Sequence, residues 1–403
     1  MFEHLNPGQR RLFAALAVNF VTLGISMTIF GATVPQIIDG FRWDYLSTGI
    51  VMSAGALGGF LSALACGGLL RRFRPKPLLV LSLGFLAASL ALFGKAPQAA
   101  LNAAVNFAIG AGSGFSEVIT NSAVVRMERP GESRLMNFMH ASFCVGAAAG
   151  PLAVGILTAA RIPFGVFFTC AGGVQALIIV LLAFQKFPDM HAEPEPKADA
   201  GRSAAADSPW KRALFWALVV SMFLYVGVEL TYNGWIAEYA ARHRAFGAAA
   251  AAGTVSIFWT GLLIGRILLS LKAKGKRQER LFALLALGSV VFYALTTIAS
   301  SARGEASTPI LQGLTWACAF LTGLFFSGCY PIIVSILGAE FGGSTVALGI
   351  CSAAAGAGVL LFPLATGALA SSIGLPLAMF LAACVDACLA ALAISIALKR
   401  RSS

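Results

Sequence analysis

Apolar runs of about twenty residues or more recur from one end of this chain to the other, each bounded by charged or turn residues, and a helix needs about that length to cross a bilayer. Twelve such segments can be drawn, at 10–38, 45–71, 75–95, 97–126, 134–160, 162–186, 210–240, 246–271, 279–300, 308–338, 344–372 and 374–398. Very short turns at Arg161 with Pro163, and at Ser372 with Pro376, separate two of the pairs. Charged residues make up 11% of the 403, hydrophobic ones 58%, and the mean hydropathy is +0.82. A soluble domain carries about a quarter charged residues, so this chain cannot cover a water-facing surface. Soluble enzymes, nucleic-acid readers and disordered scaffolds are excluded. The expected class is an all-α membrane protein of 12 transmembrane helices. No cleavable signal peptide is expected, because the apolar run behind the basic residues Arg10 and Arg11 is too long.

The net charge of +12 does not point to nucleic acid, because the basic residues stand in short clusters between the apolar runs. Clusters at Arg10–Arg11, Arg71–Lys76, Arg126–Arg134, Lys186–Arg212, Lys272–Arg280 and Lys399–Arg401 all fall on one side. The other side has only Arg42, Lys95, Arg161, Arg242, Arg244 and Arg303. Basic loops face the cytoplasm, so both termini are expected there, in a plasma membrane of the bacterial inner-membrane kind. Residues 187–209 are polar, Ala- and Pro-rich and aperiodic, and read as a flexible cytoplasmic linker. It divides a first bundle, 1–186, from a second, 210–403.

The two bundles resemble each other. FVTLGISMTIFGATV at 20–34 aligns with FLYVGVELTYNGWIA at 223–237, and Phe20, Gly24, Thr28 and Gly31 each fall 203 positions before Phe223, Gly227, Thr231 and Gly234. SGFSEVI (113–119) pairs with SGCYPII (327–333), and GPLAVGIL (150–157) with FPLATGAL (362–369). Repeats in the same order and orientation imply two pseudo-symmetric six-helix bundles about an axis along the membrane normal, with a solute site between them.

Ionisable residues at bilayer depth are costly and mark function by default. Glu117, Glu229, Arg266, Asp386 and His140 are the deep ones. Gly110, Gly114, Glu117 and Asn121 share a helix face, and a carboxyl there suits a proton carrier. The competing reading is a neutral carboxyl bonded to a neighbouring helix. Asn137, His140 and Cys144 stack on the fifth segment, where His140 either titrates or is a satisfied core residue. Tyr225, Glu229 and Asn233 share a face of the seventh, followed by Gly234 and Trp235. Aromatics beside polar groups suit a solute with an apolar face and hydroxyls. Trp235 is equally an interfacial anchor, the role favoured for Tyr239. Arg266 reads as a structural brace near the cytoplasmic end, and Asp386 as structural or without assigned role. Gly110-x-Gly112-x-Gly114 lacks the βαβ context of a nucleotide loop and reads as helix packing. The 8 cysteines all lie in apolar runs without a CxxC pair, so neither a disulfide framework nor a zinc site is indicated.

Six plus six spans, the middle linker and the basic loop GGLLRRFRPKPLL (67–79) resemble the major facilitator superfamily over essentially the whole chain. The loop has Arg71 where the general motif carries an acid. SGFSEVITNSAVV, with Glu117 and Asn121 as E-x-x-x-N, and RLMNFMHASFCVGAAAGP resemble the fucose/galactose/glucose:proton symporter branch. YVGVELTYNGW (225–235) is similar to that branch's seventh segment, including a sodium-dependent glucose carrier subgroup. The resemblance implies that Asn137 matches a site Asn and that His140 stands at a sugar-site Gln. Two positions depart from the fucose carriers: an acid of the first segment falls on Gly31, and a site Asn of the fifth on Phe143.

The expectation is therefore a secondary active transporter, not an enzyme, moving a small polar solute such as a sugar by proton symport and alternating access. Proton coupling falls to Glu117 and His140. Substrate contacts fall to Asn121, Asn137, Tyr225, Glu229, Asn233, Trp235, Trp259 and Tyr330. No cofactor or metal is expected. The partners are the solute, a coupling proton or sodium ion and the lipid bilayer, with the chain acting as a monomer and binding no nucleic acid. The alternatives are a proton-coupled drug or lipid exporter of the same fold, and a transport-inactive receptor.

Overall fold

The computed structural model describes residues 4–129, 134–187, 213–272, 277–298, 309–341 and 345–399. Most of the expected linker, 188–209, lies outside the described residues. Within them the chain is all helical: α1 (Pro7–Phe41), α2 (Tyr45–Leu70), α3 (Pro75–Leu92), α4 (Ala99–Met127), α5 (Arg134–Ala159), α6 (Phe164–Ala183), α7 (Ala213–His243), α8 (Ala248–Lys272), α9 (Gln278–Ile298), α10 (Pro309–Phe326), α11 (Cys329–Glu340), α12 (Thr345–Ile373) and α13 (Leu375–Lys399).

Local chemistry sets the ends. Asn6 and Gln9 form a reciprocal capping box at the start of α1, with Pro7 in its first turn. Asp44 caps α2 by accepting from the Ser47 amide at 2.8 Å. Its hydrogen bonds from Ser47 hold that carboxyl below the usual carboxylate range. The stretch expected as one helix at 308–338 is broken at Ser327–Gly328 into α10 and α11. Pro331 explains the break, since it has no N–H to offer the carbonyl four residues earlier.

Among the described residues, eleven stretches are long and apolar enough to cross a membrane, with Pro309–Glu340 counted as one. The remaining crossing is α4, whose 29 residues carry Asn102, Asn106, Ser113, Glu117 and Asn121. Helices α1 to α6 pack among themselves, as do α7 to α13. The two halves meet where α1 touches α7 and α8, α2 touches α12, and α5 touches α8. The face where α1 begins and α13 ends is here the terminal face, and the opposite one the distal face.

The repeat read from the sequence is written into the contacts. In α2 the backbone at Gly58 lies so close to α4 that a Cβ would collide with the Phe107 carbonyl oxygen. In α8 the equivalent Gly261 lies equally close to the Phe320 carbonyl of α10. One helical turn on, Ser62 faces Gly114 in the first half, and Gly265 faces Ser327 in the second. The same contact is kept with the small and hydroxyl partners exchanged. The left-handed residues repeat as well: Arg42 and Ala245 follow α1 and α7, and Arg161 and Gly374 follow α5 and α12.

Candidate functional site

A cavity of about 570 Å³ lies between the halves. Its distal end is bounded by Gly31, Met52, Asn233, Gly234 and Pro363, and its walls run toward the terminal face as far as Ala63, Asn121 and Ser352. Above it the halves are sealed by backbone contact and hydrogen bonds. A Cβ at Gly367 of α12 would meet the Tyr45 carbonyl at 2.5 Å, and one at Gly155 of α5 would meet the Ala249 carbonyl at 2.9 Å. Ser53 donates to the Leu360 carbonyl at 2.7 Å, and Ser256 to the Ala148 carbonyl. Nearest the distal face, Arg242 of α7 pairs with Asp39 of α1 and, at 3.0 Å, with Glu238 of its own helix. The Tyr45 hydroxyl of α2 donates to the same Glu238 oxygen at 3.4 Å. Glu238 is fully buried, and its second carboxylate oxygen has no hydrogen-bond partner. Glu238 and Arg242 stand at i and i+4 on α7, a spacing that could have found that pair, whereas nothing local links them to Asp39 or Tyr45.

Helix α4 supplies the polar wall. Gly110 and Gly114 press on the α2 backbone at Gly55 and Gly59, where side chains would collide. The polar residues on the adjoining strip therefore turn along the cavity. Glu117 is exposed to that space and, among the described residues, takes no hydrogen bond or ion pair. Asn121 lines it too, with a buried side-chain oxygen that has no partner. Tyr330, 41% exposed, faces the cavity from α11 within electrostatic reach of Glu117. Asn233 completes the group from α7, its side-chain oxygen accepting from Trp259 Nε1 at 2.7 Å. Trp259 packs edge-on against Phe143, with ring centroids 5.8 Å apart.

The other sequence candidates stand elsewhere. Trp235 is fully buried in the distal seal, donating to the Pro363 carbonyl at 3.2 Å and meeting the Tyr45 ring edge-on. Tyr225 and Glu229 are buried together behind the cavity wall, near Arg266. Arg266 reaches out of its half to donate to the Cys144 thiol of α5 at 3.2 Å. His140 packs edge-on against Phe20, also near Arg266, and is not on the wall. Asn137 is exposed on α5 outside the cavity. Asp386 is fully buried between α13 and α9, with neither carboxylate oxygen hydrogen-bonded. Tyr239 is buried as well, its hydroxyl donating to the Thr297 carbonyl at 2.7 Å, so it is packed inside the bundle.

The two departures from the fucose carriers have structural counterparts. A Cβ at Gly31 would collide with the Asn233 carbonyl oxygen, so an acid there would force α1 from α7. Phe143 is used to pack Trp259. The cavity also takes in residues that the sequence reading did not single out, Ser113 and Asn106 among them. Ser113 stands four residues before Glu117, a spacing that could have found it.

Comparison with known proteins adds four findings. The sequence pattern described as Major Facilitator Superfamily matches residues 16–311. Sodium-dependent glucose transporter 1A of Mus musculus is 25% identical over 362 residues, covering 79% of this chain and 85% of the relative. Among solved structures, nucleoside transporter NupG superposes with a TM-score of 0.76 at 12% identity, covering 97% of this chain and 99% of the other. FucP in the outward conformation, from the E. coli fucose:proton symporter, gives 0.62 at 19% identity, covering 98% and 99%.

Proposed function

The chain belongs to the Major Facilitator Superfamily of membrane transporters, and on that premise we propose that it carries a small polar solute, a sugar or close relative, by proton symport. The observation that carries this is the unpartnered Glu117 carboxyl on the wall of a cavity between the two halves. A carboxyl that faces a solute space and is tied to no neighbour is free to exchange a proton as that space changes access. Asn121, Asn233 and Tyr330 would then contact the solute, with Trp259 fixing the direction of the Asn233 amide. Tyr225, Glu229, Arg266 and His140 would brace the interface between halves rather than touch the solute.

The basic loops support a cytoplasmic terminal face. On this reading, the closed distal seal fits an inward-directed state of an alternating-access cycle. The glucose transporter of the mouse and the fucose symporter of E. coli support a sugar as the solute, and they divide between sodium and proton coupling. Uptake of labelled D-glucose, D-galactose and L-fucose into proteoliposomes, with imposed pH or sodium gradients, tests the proposal. Accumulation driven by the pH gradient supports it. Accumulation driven by sodium alone removes proton coupling, and no uptake of any sugar removes the solute class.

A further inference from the structure

Ser113, Glu117 and Asn121 follow one another at i, i+4 and i+8, so they form one row along α4. At 1.5 Å rise per residue the row is about 12 Å long. All three line the cavity. What sets them apart is that their polar atoms are uncommitted. The Ser113 hydroxyl, in a residue 4% exposed, has no hydrogen-bond partner, and neither has the Asn121 side-chain oxygen. The unpartnered hydroxyls of Ser221 and Thr231 lie off the cavity, and other buried hydroxyls turn back to their own helix, as Ser26 does to the Thr22 carbonyl, Thr33 to Ile29 and Ser62 to Gly59. Ser113 does not. Elsewhere on the wall Asn106 donates to the Val51 carbonyl, Ser26 to the Thr22 carbonyl, and Asn233 accepts from Trp259, while Tyr330 and Ser352 stand apart from this row, on α11 and α12. Buried polar groups without partners are costly and few in native proteins, so this row is built for something that enters the cavity.

The charge of the wall narrows the occupant. Among the described residues lining the cavity there is one carboxyl, Glu117, and no Lys, Arg or His. An anionic solute would be stripped of water beside that carboxyl with no cation to receive it. Arg266 and His140 lie off the wall.

We propose that Ser113, Glu117 and Asn121 are a ladder of hydroxyl contacts, that Ser113 is a specificity-determining residue, and that the solute is an uncharged polyhydroxyl compound. This rests on the transporter reading above and deepens it. When Glu117 holds its proton, the wall is neutral and offers donors and acceptors in alternation. Ser113 contributes a rotating hydroxyl, Glu117 a carboxylic acid, and Asn121 an amide. Sugars and polyols match that pattern; their uronates and amines do not.

The test uses the full chain in proteoliposomes and compares wild type, Ser113→Ala and Ser113→Thr. The probes are D-glucose, its 2-, 3-, 4- and 6-deoxy analogues, D-glucosamine and D-glucuronate. Among the described residues Ser113 makes no hydrogen bond, so the Ala variant removes none from the fold. Losing one neutral hydrogen bond should raise the half-saturation concentration for glucose about three- to tenfold. One deoxy sugar should show no such penalty, because it lacks the hydroxyl that Ser113 reads. The Ser113→Thr variant should keep the wild-type ranking, and glucuronate should be excluded by all three proteins. If wild type takes up glucose but Ser113→Ala is unchanged, or is weakened equally for every deoxy sugar, the ladder is wrong and the transporter reading stands. Glucuronate accepted as well as glucose, or glucosamine preferred to it, overturns the neutral solute. If wild type moves none of the sugars, the proposed function falls and takes this inference with it.

Discussion

Ser53 and Ser256, 203 residues apart, make the same hydrogen bond in opposite directions across the protein. Ser53 of the first half donates to the Leu360 carbonyl of the second, and Ser256 of the second donates to the Ala148 carbonyl of the first. Both lie on the distal side of the cavity, so they belong to the closed state of that face. A single hydrogen bond between membrane helices contributes about 0.6 kcal/mol on average, and up to about 1.7. Ser53→Ala and Ser256→Ala should therefore each raise the open-to-closed ratio of the distal face about threefold, and by up to about eighteenfold, and the two factors should multiply in the double variant. Spin labels at Gln98 and Gly247, in a background without native cysteines, would report this as a longer distance population. No change in the double variant would show that the seal rests on the glycine contacts and the Arg242 latch without these two hydrogen bonds.

The distal latch should be unequal in its parts. Asp39 and Arg242 are partly exposed, with side chains 64% and 38% accessible. Such a pair contributes about 0–1 kcal/mol, so Asp39→Asn should shift the equilibrium little. Arg242→Met also deprives the buried Glu238 of its cation, which should cost about 1–3 kcal/mol. Alkylation of a single cysteine at Met52 by an impermeant maleimide, applied from the distal side, should be several-fold faster in Arg242→Met than in Asp39→Asn. Equal rates would mean that Arg242 acts only through Asp39.

Close helix approach at Gly110 is the support behind the polar wall. A methyl group there would run into the Gly55 carbonyl oxygen, whereas one at Gly84 meets nothing within 4 Å. Gly110→Ala should force α4 from α2 and cost about 1–3 kcal/mol. It should lower the melting temperature in detergent and abolish uptake, while Gly84→Ala should match wild type. A Gly110→Ala protein with unchanged melting would show that the two helices separate without penalty.

Much of this was legible from sequence because the bilayer imposes a length on every helix. The expected 45–71 and 75–95 became Tyr45–Leu70 and Pro75–Leu92. The repeat was legible because matching glycines make matching contacts. The break at Ser327–Gly328 was hidden inside an unbroken apolar run, although Pro331 was its signal. Residues along α4 could be put on one face by helical spacing, which brought out Glu117 and Asn121. Spacing alone cannot say which way a face turns, and α7 shows the consequence. Tyr225, Glu229 and Asn233 share a stripe at i, i+4 and i+8, yet only Asn233 reaches the cavity. Asp39, Tyr45 and Glu238 are joined, Asp39 through Arg242, only because the ends of three helices, α1, α2 and α7, converge across the halves. No local pattern encodes that meeting.

Trp259 should act through Asn233. Its indole N–H holds the Asn233 oxygen at 2.7 Å, leaving the amide donors for the cavity. Trp259→Phe keeps an aromatic ring and removes only that bond. The half-saturation concentration for the solute should rise about three- to tenfold, and Asn233→Ala in the Phe background should add little, since the two act as one unit. Fully additive penalties would separate the two residues.

Proton coupling at Glu117 is the central claim, and Glu117→Gln tests it most directly. The variant keeps the shape and a hydrogen-bond donor and cannot titrate. Binding and exchange of solute need no net proton movement, so counterflow in proteoliposomes should persist. Accumulation driven by a pH gradient should be lost, because no proton is released to complete the cycle. Linkage adds a second reading from the same samples: a solute that favours the protonated carrier must bind the wild type more weakly at alkaline pH, and the Gln variant should lack that dependence. Counterflow near the wild-type rate together with loss of gradient-driven uptake is the predicted result. Accumulation by Glu117→Gln at the wild-type level would contradict the account and remove Glu117 as the coupling residue.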